Sequence, residues 1–326
     1  MKYFSMFSGI GGFELGIQKE NNDKKRHMSN PRYSMDSRKK TFDCIGYSKI
    51  EGTNDNKETR GYRQKKTISK QGSRSISSKS NKRQHTFSCV GFSEIDKYTI
   101  QTYLKHFPTH KNYGNTVDIR WDTVKDFDLL VAGFPCQAFS IAGKRRGFDD
   151  TRGTLFFEIA RCLERKQPRM FILENVKGLL NHNGGETFTT ILKTIDELGY
   201  DAEWQVLNSK HFGVPQNRER VFIIGYLRGK SRQEIFPIKE SSDKIAGLRE
   251  RNIAQTIDTG MQQHTLQNSS IRRLTPVECE RLQGFPDDWT NGVSDTQRYK
   301  QLGNAVTVNV IKKIIDLMEH NLKKYY

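Results

Sequence analysis

The chain has 326 residues, a formal net charge of +17 and a pI near 9.6. That length allows one large domain with a sizeable core, or a large domain with a small one beside it. The charge favours a polyanionic partner, either nucleic acid or an anionic membrane surface. No apolar run approaches the roughly 18 residues needed to cross a bilayer, and the opening "MKYFSMFSGIGGFELGI" lacks a long apolar stretch of the signal-peptide kind. A soluble, cytoplasmic protein without a membrane partner is therefore expected. The five cysteines, Cys44, Cys89, Cys136, Cys162 and Cys279, are odd in number and show no zinc-ligand spacing, so no disulfide framework and no metal site is expected.

In chain order, "KYFSMFS" reads as a strand that runs into "GIGG", and helical spacing follows from Phe13 to Ile17. Residues 21–85 then break the pattern. They hold 18 Lys/Arg against 6 Asp/Glu and ten serines, leaving only +5 of the net charge to the other 261 residues. Such a composition leans to disorder in the free protein and marks an insertion. "FSCVGFSEI" resumes as a strand, followed by a helix through "DKYTIQTYLKHF". "DFDLLVAG" and "RMFILE" read as buried strands, with the helix "TLFFEIARCLERK" between them. "ETFTTILKTIDELGY" is an amphipathic helix stopped at Gly199, "ERVFIIGYL" a strand, and "VTVNVIKKIIDLMEHNL" a closing helix. Alternating strands and helices predict an α/β, doubly wound parallel sheet with ligands at the carboxyl ends of its strands. One weak repeat links "KTFDCIGYSKIEG" to "HTFSCVGFSEIDK" at a spacing of 45, with Lys49 in the first copy where the second has Glu94.

The suggestive residues fall at those strand ends. Glycines between a strand and a helix let backbone approach a ligand and expose helix N–H groups, although a simple tight turn uses the same residues. Glu94, ending the next strand, could accept hydrogen bonds from both hydroxyls of a ribose. Together they suggest a nucleoside-containing cofactor, and the absence of GxGxxG disfavours a dinucleotide. Cys136 follows "GFP" at a strand end, where a thiol can be activated as a nucleophile or can be an inert packed residue. Glu174 ends a buried run, where a carboxylate is costly without a partner or a task. Arg218 and Arg220 enter the next strand and could hold that carboxylate or bind phosphate.

"FSGIGG", "GFPCQAFS", "ENVKG", "QNRERVF", "RRLTPVECERLQGFPDDW" and "QLGNAV" occur here in the order found in the cytosine-C5 DNA methyltransferases of bacterial and phage restriction–modification systems. The chain resembles that family over Met1 to Ile17, about Phe87 to Tyr226, and Arg272 to the C-terminus. The resemblance implies a Rossmann-like, doubly wound methyltransferase sheet that uses S-adenosyl-L-methionine. It implies that the Cys136 thiolate attacks C6 of a flipped-out cytosine, activating C5 for the methyl group. Pro135 would shape the turn, Glu174 would bond at N3, Arg220 would contact the base or orient Glu174, and Arg218 would assist. Phe7, Gly9, Gly11 and Gly12 would hold the methionine side of the cofactor. Glu94 would take its ribose and Ile95 would lie beside the adenine. Asn115, at a position where the family often has aspartate, would face the adenine amino group, and Leu155 and Asn304 would complete the pocket. Lys49 has no acceptor for ribose hydroxyls, so the earlier copy of the repeat is not a second cofactor site. Gln137, Lys144, Arg145 and Arg146 would meet double-stranded DNA, the basic residues at its phosphates.

The same reading divides the chain into a catalytic domain over 1–20 and 86–226, the basic insertion 21–85, a short target-recognition region 227–271, and a return to the catalytic domain over 272–326. The recognition region is reduced relative to the family and small for an independent core. Three sources of recognition stay open: that segment alone, the insertion, or a companion recognition subunit. A cognate restriction endonuclease is a further expected partner, and the protein is expected to be a monomer. An RNA (tRNA) methyltransferase of the same fold and a non-catalytic DNA-binding relative are the alternatives.

Overall fold

Lys2–Met6 form β1, an interior strand of the main sheet, where Tyr3, Phe4 and Met6 are fully buried. In the computed structural model the described residues are 1–18, 87–135, 155–229, 235–239, 254, 256–257, 264–267 and 270–322. After β1 a glycine turn leads into helix α1, described over 12–18. The remaining elements are β2 (Ser88–Ser93), α2 (Lys97–His106), β3 (Leu129–Gly133), α3 (Leu155–Lys166), β4 (Met170–Val176), α4 (Glu186–Glu197), β5 (Tyr200–Asn208) and β6 (Glu219–Leu227). A two-stranded antiparallel ribbon, β7 (His264–Gln267) and β8 (Ser270–Arg273), precedes α5 (Pro276–Leu282), α6 (Asp295–Asn304) and α7 (Val308–Leu322).

The main sheet runs β2-β1-β3-β4-β6-β5. The first four strands are parallel, as the buried apolar runs predict. The expected all-parallel sheet is corrected at its far edge. Strand β6 is antiparallel to both β4 and β5. Strand β5 itself is absent from the sequence reading. Its residues "YDAEWQVLN" mix charged and apolar side chains because it is an edge strand, mostly half-buried. No helix long enough for a crossover separates it from β6, so the pair closes as antiparallel neighbours.

Apolar clusters fill both faces. On one, Ile159 and Leu163 of α3 and Ile191 and Ile195 of α4 pack on Phe171 and Leu173. On the other, Phe13 and Ile17 of α1 and Ile311, Ile314 and Ile315 of α7 pack on Ile172, Phe222 and Ile224. A third cluster joins Tyr103 and Phe107 to Leu282, Phe285, Trp289 and Leu302. Local signals explain the helix starts. Asp96 caps α2 by accepting from the Tyr98 and Thr99 amides at 3.1 and 2.9 Å. Thr275 and Glu278 form a capping box on α5, with Pro276 in its first turn. Within the 227–271 region, Ile235, Phe236 and Ile238 pack with α7's cluster, and Ile257 with that of α5 and α6.

One buried group makes a testable ledger. Glu14 on α1 is fully buried, accepts from the Tyr103 hydroxyl at 3.1 Å, and has no partner at Oε2. Burial pushes its carboxyl up to about 7. A raised carboxyl favours the folded state fully below the unfolded value, and that contribution is lost as pH climbs through about 7. Glu14→Gln keeps the acceptor for Tyr103 and removes the charge. It should be more stable than wild type at pH 8 by up to about 3 kcal/mol. It should also lose less stability between pH 5 and pH 8, as read by urea midpoints. Parallel pH profiles for the two proteins would refute this.

Candidate active site

The carboxyl ends of β1, β2, β3 and β4 lie along one side of the sheet. Because β6 runs antiparallel, its first residues lie on that side too, with Arg220 opposite Val176 at the end of β4.

After β1, Phe7, Gly9 and Gly11 take left-handed backbone angles, with φ of 53°, 56° and 84°. Phe7 is not glycine, so its conformation costs energy and marks a constrained turn. At Gly11 a Cβ would lie 2.5 Å from Cε2 of Phe107, and at Gly12 one would lie 2.7 Å from Cγ1 of Val306. Both glycines therefore permit close packing behind the loop. From β2, Glu94 reaches back to this loop. Its Oε2 accepts from the Gly9 amide at 3.1 Å, and its Oε1 accepts from the Ile95 and Asp96 amides at 2.8 and 3.0 Å. A carboxylate offers roughly four lone-pair sites, so acceptor capacity remains for a hydroxyl. Ile95, next in sequence, is 71% exposed, and Val117 is 54% exposed. An uncovered apolar side chain, Ile95, next to the Glu94 carboxylate suits an aromatic ring carried on a ribose. Asn115 lies close by and caps the turn 116–118 by accepting from the Val117 amide at 3.4 Å. Asn112, which sequence reasoning missed, holds the Glu94 backbone through a pair of hydrogen bonds of 3.1 and 3.3 Å. Leu155 is half-buried at the start of α3, and Asn304 is exposed at the last residue of α6.

At β3 and β4, Gly133 pairs in register with Glu174. The side chain of Asn175, to which the sequence reading gave no role, donates to the Phe134 carbonyl at 2.9 Å. That bond ties the "GFP" turn to the "ENV" turn. Pro135 is exposed and is the last described residue before Cys136. Glu174 is buried, and its Oε1 lies 3.2 Å from Arg220 Nε. Burial raises the Glu174 carboxyl above its ordinary range, against the pull of Arg220 and then Arg218. Burial likewise lowers the Arg220 guanidinium, against the pull of Glu174.

Arg218, buried in the same motif, forms a clamp on backbone carbonyls. Its Nη1 donates to the Ile257 carbonyl at 3.1 Å, and its Nη2 donates to those of Gly303 and Ala305 at 3.1 and 2.9 Å. The last two belong to the C-terminus of α6, where carbonyls lack helical partners and a cation is favoured. Cys136, Gln137, Lys144, Arg145 and Arg146, and the insertion 21–85, lie outside the described residues. The described cysteines behave as apolar side chains. Burial pushes the thiols of Cys89 and Cys279 up to about 12 and that of Cys162 well above its ordinary value. Among the described residues no metal-binding cluster is present and no helix is long and apolar enough to cross a membrane.

A glycine turn after β1, a carboxylate after β2 and an antiparallel β6 between β4 and the edge strand β5 define a Rossmann-like methyltransferase fold. The structure of the Schizosaccharomyces pombe Dnmt2 methyltransferase superposes with a TM-score of 0.64 at 16% identity, covering 99% of each chain. The family model of the C-5 cytosine-specific DNA methylases matches residues 77–250 and 231–320. The type II methyltransferase M1.ScrFI of Lactococcus lactis subsp. cremoris is 38% identical over 279 residues, 71% of this chain and 72% of its own. M.HpaII of Haemophilus parainfluenzae is 40% identical over 260 residues, 58% of this chain and 72% of its own. The chain belongs to the C-5 cytosine-specific DNA methylases and is a DNA cytosine-5-methyltransferase. The family match begins at residue 77, so the "FSGIGG" turn lies outside it. The sheet nevertheless places β1 between β2 and β3.

Proposed function

We propose that this chain methylates cytosine in a short duplex DNA sequence, as the modification enzyme of a type II restriction–modification system. The type II names of its relatives support that role. Cys136 is the nucleophile. Its sulfur bonds to C6 of a flipped-out cytosine, C5 accepts a methyl group, a base takes the C5 proton, and the C6–S bond then breaks. Glu174 hydrogen-bonds at N3 of the base, and its raised pKa suits a carboxyl that must carry a proton there. Arg220 orients Glu174 through their ion pair. The observation that carries this reading is that buried pair, placed beside a "GFP" turn which Asn175 holds against the end of β4.

S-adenosyl-L-methionine supplies the methyl group when bound. The turn from Phe7 to Gly12 would hold its methionine end, Glu94 its ribose, and Ile95 with Asn115 its adenine, while Leu155 and Asn304 would close the pocket. Pro135 would present the thiol. Gln137, Lys144, Arg145 and Arg146 would contact the DNA, and the +12 carried by residues 21–85 would add affinity for phosphate without sequence preference.

The test is base-resolution sequencing of cytosine methylation in plasmid DNA from a methylation-free host that expresses only this chain. Methylation at one short sequence is expected. Soluble protein that binds S-adenosylhomocysteine yet leaves plasmid cytosines unmodified would refute duplex methylation by this chain alone.

A further inference from the structure

The stretch "GFPDDW" lies far in sequence from the glycine turn yet touches it. The Trp289 indole Nε1–H donates to the Ile10 carbonyl at 2.9 Å, and both groups are buried. We infer that Trp289 is a positioning residue for the cofactor loop, an inference that rests on the assignment of S-adenosylmethionine to that loop.

The argument turns on one peptide plane. The Ile10 carbonyl and the Gly11 N–H belong to the same rigid amide, so anchoring one end fixes the direction of the other. Gly11, at φ 84°, has the freedom to accept a flipped amide, since glycine populates both signs of φ. The indole bond removes that freedom. It holds the Gly11 N–H on the Ser8 carbonyl at 3.2 Å, and so holds the turn's shape just ahead of α1. Glu94 pins the same turn from the other side through the Gly9 amide.

Trp289 is itself immobilised. His106 stacks on the indole at 3.5 Å with 6° between planes. The His106 Nε2 lies 2.7 Å from the Trp289 carbonyl, and a carbonyl only accepts, so Nε2 carries the proton. Burial lowers the His106 pKa, which favours the neutral ring. Phe107 meets the indole edge-on at 5.9 Å and fills the space that a Gly11 side chain would need. Phe285 packs on the indole at 5.5 Å and lies behind Gly12. The C-terminal stretch therefore buttresses the cofactor turn.

Trp289→Phe keeps a buried ring and removes the donor. Titration calorimetry with S-adenosylhomocysteine should show Kd raised about tenfold, equivalent to about 1.4 kcal/mol. KM for S-adenosylmethionine should rise with it, while kcat at saturating cofactor and KM for DNA stay within about twofold. Tyr299→Phe is the control, because it deletes another buried donor, to the Leu274 carbonyl at 2.8 Å, in the same cluster but away from the turn. It should lower Tm comparably and leave the Kd unchanged. Unchanged cofactor affinity in Trp289→Phe, or equal weakening in Tyr299→Phe, would overturn the inference. Wild-type protein that binds no S-adenosylhomocysteine would instead overturn the cofactor assignment on which it rests.

Discussion

Cys136→Ser should lose at least about 10⁴-fold in methyl transfer, because a hydroxyl at neutral pH supplies almost no anion to attack C6 whereas a thiol does. The described cysteines offer no rescue. Burial raises the thiols of Cys89, Cys162 and Cys279, and Cys162 and Cys279 lie inside apolar clusters. The variant should still bind S-adenosylhomocysteine within about twofold of wild type, since it alters none of the residues proposed to hold the cofactor. Incorporation of labelled methyl groups into duplex DNA measures the first quantity and calorimetry the second. Turnover within about a hundredfold of wild type would eliminate the covalent route through Cys136. Loss of cofactor binding would show instead that the substitution disrupts the site.

Arg218→Leu and Arg220→Leu should fail in opposite ways, although the two arginines sit two residues apart in one motif. Loss of Arg218 strands three carbonyls inside the protein, two of them at the end of α6. Buried polar groups left without partners carry their full desolvation cost, so a loss of roughly 3–5 kcal/mol is expected in urea unfolding. Arg220→Leu removes the cation beside Glu174, and the carboxyl should rise further because burial then acts unopposed by its nearest partner. That variant should fold with a smaller loss and drop kcat by roughly 10²-fold or more, the scale of a misplaced acid–base group. Arg218→Leu with wild-type stability would contradict the clamp. Wild-type kcat in Arg220→Leu would contradict the role given to the ion pair.

The contrast shows where the sequence stopped being readable. "LLVAG" and "MFILE" are unbroken apolar runs, and both emerged as buried parallel strands. Asp96 and Thr275 start their helices through side chains that cap locally. Strand β5 gave no comparable sign, because an edge strand need not be apolar on both faces. Missing it hid the turn-back into β6, and a parallel β6 would have put Arg220 at the wrong end of the sheet. The convergence of Arg220 on Glu174 was legible from the motif, and the geometry that permits it was not. Arg218 and Trp289 show the same limit at longer range. Their partners, the carbonyls of Gly303, Ala305 and Ile10, are backbone groups whose availability no side-chain pattern reveals.

The pairing of Lys2 with Ser88 has a consequence for how the chain tolerates its insertion. Residues 7–87 must close between two neighbouring parallel strands, and 65 of them are the basic segment 21–85. Closure entropy grows only with the logarithm of length, at roughly 0.6 kcal/mol per doubling. Even counted as a fully flexible loop, the insertion lengthens the connection by a little over two doublings and costs about 1.4 kcal/mol. That cost is comparable to one ordinary buried hydrogen bond. The junction between α1 and β2 is thus a cheap place to graft foreign sequence, and a linker of a few residues or a whole folded domain should splice there while the β1–β2 register survives.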